Sequence, residues 1–234
     1  MMKKILAFLM AAILAFSVLA MVSCGDNGDG EPTKEDILES VSRMYSASQP
    51  KKTVGKTTQE FGDTVLISTY TLKVGYVNGR RAAVRDIVEQ EMRTVTESDD
   101  SKVVLAPVKE TTEKREYIEG VGLRVNGGNW RENGDSIIPE RGTIALNLDP
   151  ALINSVSFEN NVLVFTVSAA NAAAVLDIED IYSDLTVTVE TDGTVIMAVK
   201  IEYVVPADDA VYVEETTVTI TAEYTYDNQY ITIG

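Results

Sequence analysis

The chain has 234 residues, with 36 acidic against 20 basic side chains, no histidine and a single cysteine. A net charge of −16 is repelled by nucleic acid and by anionic lipid head groups, which argues against DNA or RNA binding and against a domain lying flat on a membrane. Without histidine there is no Ser-His-Asp or Cys-His catalysis and no histidine zinc site, and one cysteine cannot close an intramolecular disulfide.

Met1-Met2-Lys3-Lys4 is a short cationic start, and Ile5 to Val22 is apolar except for Ser17. That length approaches a bilayer-spanning helix, so an uncleaved anchor is one reading. The end of the run favours another. Ser23 stands directly before Cys24, and Gly25-Asp26-Asn27-Gly28-Asp29-Gly30-Glu31-Pro32 is polar and turn-forming. Met21-Val22-Ser23-Cys24 resembles a bacterial lipoprotein signal, with Met21 where leucine is more usual, and the resemblance implies a lipid on the Cys24 sulfur at the mature N-terminus. Two acyl chains anchor stably where one does so only marginally. The expected division is therefore a signal peptide over 1–23, a lipidated cysteine and acidic tether over 24–32, and one domain over 33–234. Lys3 and Lys4 leave with the signal, so the mature chain is two units more negative than the whole. The tether reaches about 28 Å when extended. Gly28 stands where an EF-hand loop needs an oxygen ligand, so calcium binding is not expected.

The domain opens with a helix capped by Thr33 and Asp36, whose apolar face is Ile37, Leu38, Val41, Met44 and Tyr45. Gln49-Pro50 ends it. From Thr53 the period becomes two. Over 64–77, Leu66, Tyr70, Leu72, Val74 and Tyr76 share one face, and Asn78-Gly79 is a tight-turn pair that returns the chain along 80–96. After a turn at Glu97-Ser98-Asp99-Asp100, a strand over 103–105 is expected to stop at Pro107 and resume over about 111–125. Asn126-Gly127-Gly128-Asn129 turns into Trp130, a candidate surface anchor or a residue packed across its neighbouring strand. Asp149-Pro150 predicts a short helical turn, Val156 to Ser168 a hairpin around Glu159-Asn160-Asn161, and 169–176 a short packing helix. Leu185, Val187 and Val189 alternate with polar residues up to an Asp192-Gly193 turn. Val195, Met197, Val199, Ile201 and Tyr203 are then expected on one face. Pro206-Ala207-Asp208-Asp209 breaks that strand, and Val218 to Tyr226 forms the last.

These elements predict a mainly β, α+β domain: a strongly curved antiparallel sheet or incomplete barrel, with the N-terminal helix and one or two short helices on its concave side. About eight strands present an apolar face on the order of 1,100 Å², of which a 12-residue helix covers only about 180 Å². The remainder needs a second layer, a curled sheet or an apolar ligand.

Cys24, the acidic tether, the helix Glu35 to Tyr45, the long strands and the Thr-Asp-Gly-Thr hairpin at 191–194 followed by Ile201-Glu202-Tyr203 resemble envelope lipoproteins of the LolA/LppX-like superfamily. That resemblance implies a cavity for acyl chains between sheet and helices. Its candidate lining is Leu66, Tyr70, Leu72, Tyr117, Leu123, Phe165, Met197, Ile201, Tyr203 and Tyr224, each equally a core residue. No phosphate loop occurs, because Gly120-Val121-Gly122 lies in a strand-like context, and no carboxylate pair stands out among the 36 acidic residues. The expectation is a non-enzymatic, extracytoplasmic, lipid-anchored protein of the bacterial envelope that binds a lipid-like ligand, with no metal or cofactor. The alternative is a structural or interaction module with a filled core that meets an envelope protein partner.

Overall fold

The computed structural model describes residues 32–47, 49–96, 103–132, 134–139, 143–176, 183–207, 214–228 and 231–233. The signal segment, Cys24, most of the tether and the turn at 97–100 lie outside the described residues. The elements in order are α1 (Lys34–Ala47), β1 (Lys52–Phe61), β2 (Thr64–Val77), β3 (Arg80–Thr96), β4 (Val103–Ile118), β5 (Gly122–Val125), a 3-10 turn (Pro150–Leu152), β6 (Ser155–Glu159), β7 (Val162–Val167), α2 (Ala169–Leu176), β8 (Leu185–Thr191), β9 (Ile196–Val205) and β10 (Thr216–Thr225).

All ten strands form one open antiparallel sheet in the order β5-β4-β3-β2-β1-β10-β9-β8-β7-β6. The chain thus makes two meanders, β1 to β5 and β6 to β10, joined in the middle where β1 pairs with β10. A crossover over 126–154 carries the chain from one outer strand to the other.

Turn chemistry fixes the register. Asn78 and Gly79 both take positive φ, as do Asn160 and Asn161, which is the backbone a two-residue primed turn requires. The expected break at Pro107 does not occur, and β4 runs through it. Proline has no N–H to give a ladder, but its partner Met92 lies beside a register shift, and among the described residues no strand pairs with the other side of β4 there. Gly120 and Val121 lie in the β4–β5 turn, and Gly122 opens β5. Gly122, at φ 119°, approaches so closely that a Cβ would sit 2.1 Å from the Arg131 carbonyl oxygen.

A second correction concerns β9. The β8–β9 register shifts so that Thr191 opposes Ile196 while Glu190 opposes Ala198. Met197 is the extra residue, which turns it outward at 38% exposure and puts Ile196, not Val195 or Met197, into the core.

Helix α1 starts as its sequence implies. Thr33 and Asp36 exchange hydrogen bonds, backbone N–H to side chain in both directions, at 3.0 and 3.2 Å. Leu38, Val41 and Met44 then pack against β9 and the crossover. Helix α2 buries Ala172, Val175 and Leu176. The crossover is fastened between the two helices. Asn147 donates from its backbone to Val175 O at 2.8 Å and from its side chain to Ala174 O at 3.3 Å, while Asn171 Nδ2 donates to Leu152 O at 3.2 Å. Ile144 N–H donates to the Tyr224 hydroxyl at 2.9 Å. Beneath this cover, Leu163, Phe165, Val167, Val187, Val189 and Ile196 are fully buried.

The Tyr224 hydroxyl accepts from the Ile144 N–H, and its own pKa is raised by burial. Tyr224→Phe should therefore cost about 1–3 kcal/mol in chemical denaturation, with faster hydrogen exchange at Ile144 than elsewhere in the crossover. Unchanged exchange at that amide would refute this fastening.

Candidate functional site

Residues directly opposite in an antiparallel pair lie on the same face, so the register gives the inner face row by row. One row reads Lys109, Glu91, Leu66, Gln59, Val218, Tyr203, Leu185, Val167, from β4 to β7. The next reads Thr111, Glu89, Ser68, Thr57, Ile220, Ile201, Val187, Phe165. Each is apolar over β7 to β10 and mostly polar over β1 to β4. The inner face is two surfaces that meet at β1.

The apolar half is filled. The polar half holds a groove of about 320 Å³ lined by Thr57, Gln59, Leu66, Ser68, Glu89, Glu91, Lys109 and Thr111, with Ile67 and Gln90 between them in the strands. Its charges are partly matched within the sheet. Arg93 Nε donates to Glu91 Oε1 at 2.9 Å, and Thr111 Oγ1 to Glu89 Oε2 at 3.3 Å. A larger hollow, about 460 Å³, lies at the seam of α1, α2 and the crossover beside Ser42, Leu146, Asn147 and Asp149. Asp149 is its only charged lining residue, and it already caps the 3-10 turn by accepting from Ala151 N–H. The inner-face groove is the better candidate site.

Beyond the groove the inner row continues with Glu113, Ile87, Tyr70 and Gly55, then with Arg115, Arg85, Leu72 and Thr53. Gly55 is needed for space. A Cβ there would lie 2.2 Å from Tyr70 Cε1, so the Tyr70 ring rests directly on the β1 backbone. The Arg85 guanidinium stacks over that ring at 4.6 Å from its centroid. Burial raises the Tyr70 pKa and the Arg85 charge offsets part of the rise.

The structure separates the residues that sequence reasoning grouped. Phe165, Ile201 and Tyr224 are sealed at 0%, 1% and 3% exposure, and Tyr203 packs against the same core. Met197 faces away from them. Leu72 is buried beside Arg85, Tyr117 and Leu123 oppose each other across β4 and β5, and Leu66, at 37% exposure, lines the groove. Glu89, Glu91, Lys109 and Thr111 were missed. Their two-residue spacing was visible, but only pairing with β2 shows what they face.

On the outer face Trp130 lies against Arg124, whose guanidinium stands 4.8 Å from the ring centroid. Arg124 Nε in turn reaches Glu116 Oε2 at 2.5 Å, and Lys114 Nζ lies 3.0 Å from Glu116 Oε1. Trp130 is thus half-buried, packed across β5. Burial pushes the Glu116 carboxyl up, but the hydrogen bonds and charges of Arg124 and Lys114 outweigh it and hold the pKa below the ordinary 4.5.

No protein-family model and no curated protein matches this chain. Among solved structures it is similar to the lipoprotein LppX of Mycobacterium tuberculosis, at 12% identity and a TM-score of 0.38, over 86% of this chain and 100% of that one. A weaker likeness is to the MucA/MucB complex of Pseudomonas aeruginosa, at 11% identity and a TM-score of 0.13, over 81% of this chain and 94% of that one. Scores this low carry no assignment of family or activity.

A carboxylate with a depressed folded pKa stabilises fully above its unfolded pKa and loses that contribution as pH falls through the folded value. Glu116→Ala should destabilise by about 3 kcal/mol at neutral pH by leaving Arg124, 13% exposed, without its carboxylate. In urea titrations the gap between wild type and Glu116→Ala should narrow on acidification to about pH 3. A gap independent of pH would show that the ion pair is not its source.

Proposed function

We propose that this protein is a lipid-anchored, non-catalytic component of a bacterial envelope, held by Cys24, that carries an amphipathic ligand on the inner face of β1 to β5. The observation that supports this is the uneven cover of the sheet. Both helices and the crossover close the β6–β10 half, whereas the groove around Leu66 stays open and mixes an apolar side chain with hydroxyl, amide and charged groups. The core beneath α1 is closely buried, with Phe165 and Val187 at 0% exposure, so the ligand is assigned to the open half. A volume of a few hundred Å³ is the usual size of a small-molecule site.

A second reading, an interaction module, is favoured by a different feature. The β3–β4 hairpin continues past the start of β2 and exposes Val95 and Leu105 by 38% and 48%, with Val108 at 52% in the nearby bulge. Exposed apolar residues gathered at one end of a hairpin suit a protein partner.

Native mass spectrometry of the full chain, released from bacterial membranes in a mild non-ionic detergent, separates the two. A co-purifying amphiphile that is lost in Leu66→Asp, with thermal unfolding unchanged, is the expected result. Apo protein throughout would reject carriage and leave the module. Anchoring is tested by Cys24→Ala, which should move the chain from the membrane to the soluble fraction, whereas membrane retention would mean an uncleaved anchor.

A further inference from the structure

The inner face of β3 and β4 sets two arginines opposite each other in the register. Arg85 and Arg115 are direct cross-strand partners, an arrangement that repels unless an anion lies between or beside the pair. Glu113 answers one of them, because Arg115 Nε donates to Glu113 Oε1 at 2.5 Å. Arg85 is held differently. Its guanidinium lies on the Tyr70 ring, and its Nε is buried with no hydrogen-bond acceptor among the described residues. A charged group with an unpaired buried donor gains from an anion at its remaining guanidinium N–H groups.

The geometry points to an anion-binding position at Arg85 and Arg115, which takes the carboxylate or phosphate group of the ligand proposed above and rests on that reading. Gly55 seats Tyr70, Tyr70 supports Arg85 and Glu113 fixes Arg115, so the two forks are in place before the anion arrives. Guanidinium forks match the paired oxygens of carboxylate and phosphate, and these charge-assisted bonds are roughly twice as strong as neutral ones. Arg115 is 40% exposed, so the position opens to solvent. Leu72 adjoins Arg85 in the same row, and Ile87 and Tyr70 lead from the pair toward Leu66. The selection is therefore for an anionic amphiphile, even though the chain as a whole repels anionic surfaces.

The test uses the full chain in nanodiscs of zwitterionic lipid, photolabelled with a diazirine fatty acid or with the primary amide of the same acid. The expected result is about tenfold more labelling of β2–β4 peptides by the acid, equivalent to about 1.4 kcal/mol. Arg85→Gln and Arg115→Gln should each abolish the preference and leave amide labelling unchanged. Arg93→Gln, which removes the same charge from a residue paired with Glu91, should keep it. Arg115 is the partly exposed member, so its variant covers the case in which Arg85→Gln fails to fold. Equal labelling by acid and amide in the wild type would overturn the anion position and leave amphiphile binding standing. No labelling by either would overturn both. Competition by inorganic phosphate would support the position as one for free anions, and persistence of labelling under phosphate would assign it to an amphiphile head group.

Discussion

A wide sheet has more inner surface than two short helices can cover, and that imbalance governs the molecule. Helices α1 and α2 with the crossover suffice for about five strands, and on those strands the two central inner rows are apolar throughout. Over the other strands the same face carries Thr57, Gln59, Ser68, Glu89 and Glu91, which need no cover. The polarity change at β1 is thus the chemical counterpart of where the covering layer ends. Site and core follow from one division, since the filled half supplies rigidity and the open half supplies accessible groups.

Within the open half, position depends on small features acting in series. The missing side chain at Gly55 lets Tyr70 lie flat, and that ring holds Arg85 beside Arg115. The outer face behind them is secured separately by Trp130, Arg124, Glu116 and Lys114. The two faces at this end of the sheet therefore hold arginines of different character: Arg124 on β5 is paired with the buried carboxylate of Glu116, and Arg85 on β3 lies on an aromatic ring.

Much of the fold was legible. Asn78-Gly79 and Asn160-Asn161 announce their hairpins because only certain residues accept positive φ, and the helices at 34–47 and 169–176 follow from capping and composition. The misreadings have a common cause. Pro107 is tolerated because β4 has an unpaired side there, and Met197 points outward because one residue is inserted opposite β8. Both depend on which strand lies beside which, a property that alternation within one strand does not contain. The same limit explains the site, in which Glu89 and Arg85 belong to one face of a single strand but meet their partners only through β2 and β4. Phe165, Ile201 and Tyr224 were cavity candidates only through the family resemblance and core candidates equally, because apolarity cannot distinguish a lined hollow from a filled one.

The central β1–β10 junction also has a temporal side. Within each meander every strand pairs with its neighbour in sequence, contacts that form early because little chain entropy is lost in closing them. Lys52 to Glu60 must instead wait for Thr217 to Thr225, near the far end of the chain. During synthesis, the first meander is complete while β1 still presents a row of unpaired backbone groups. The interval before β10 arrives is the period in which this protein is most prone to pair with the wrong strand.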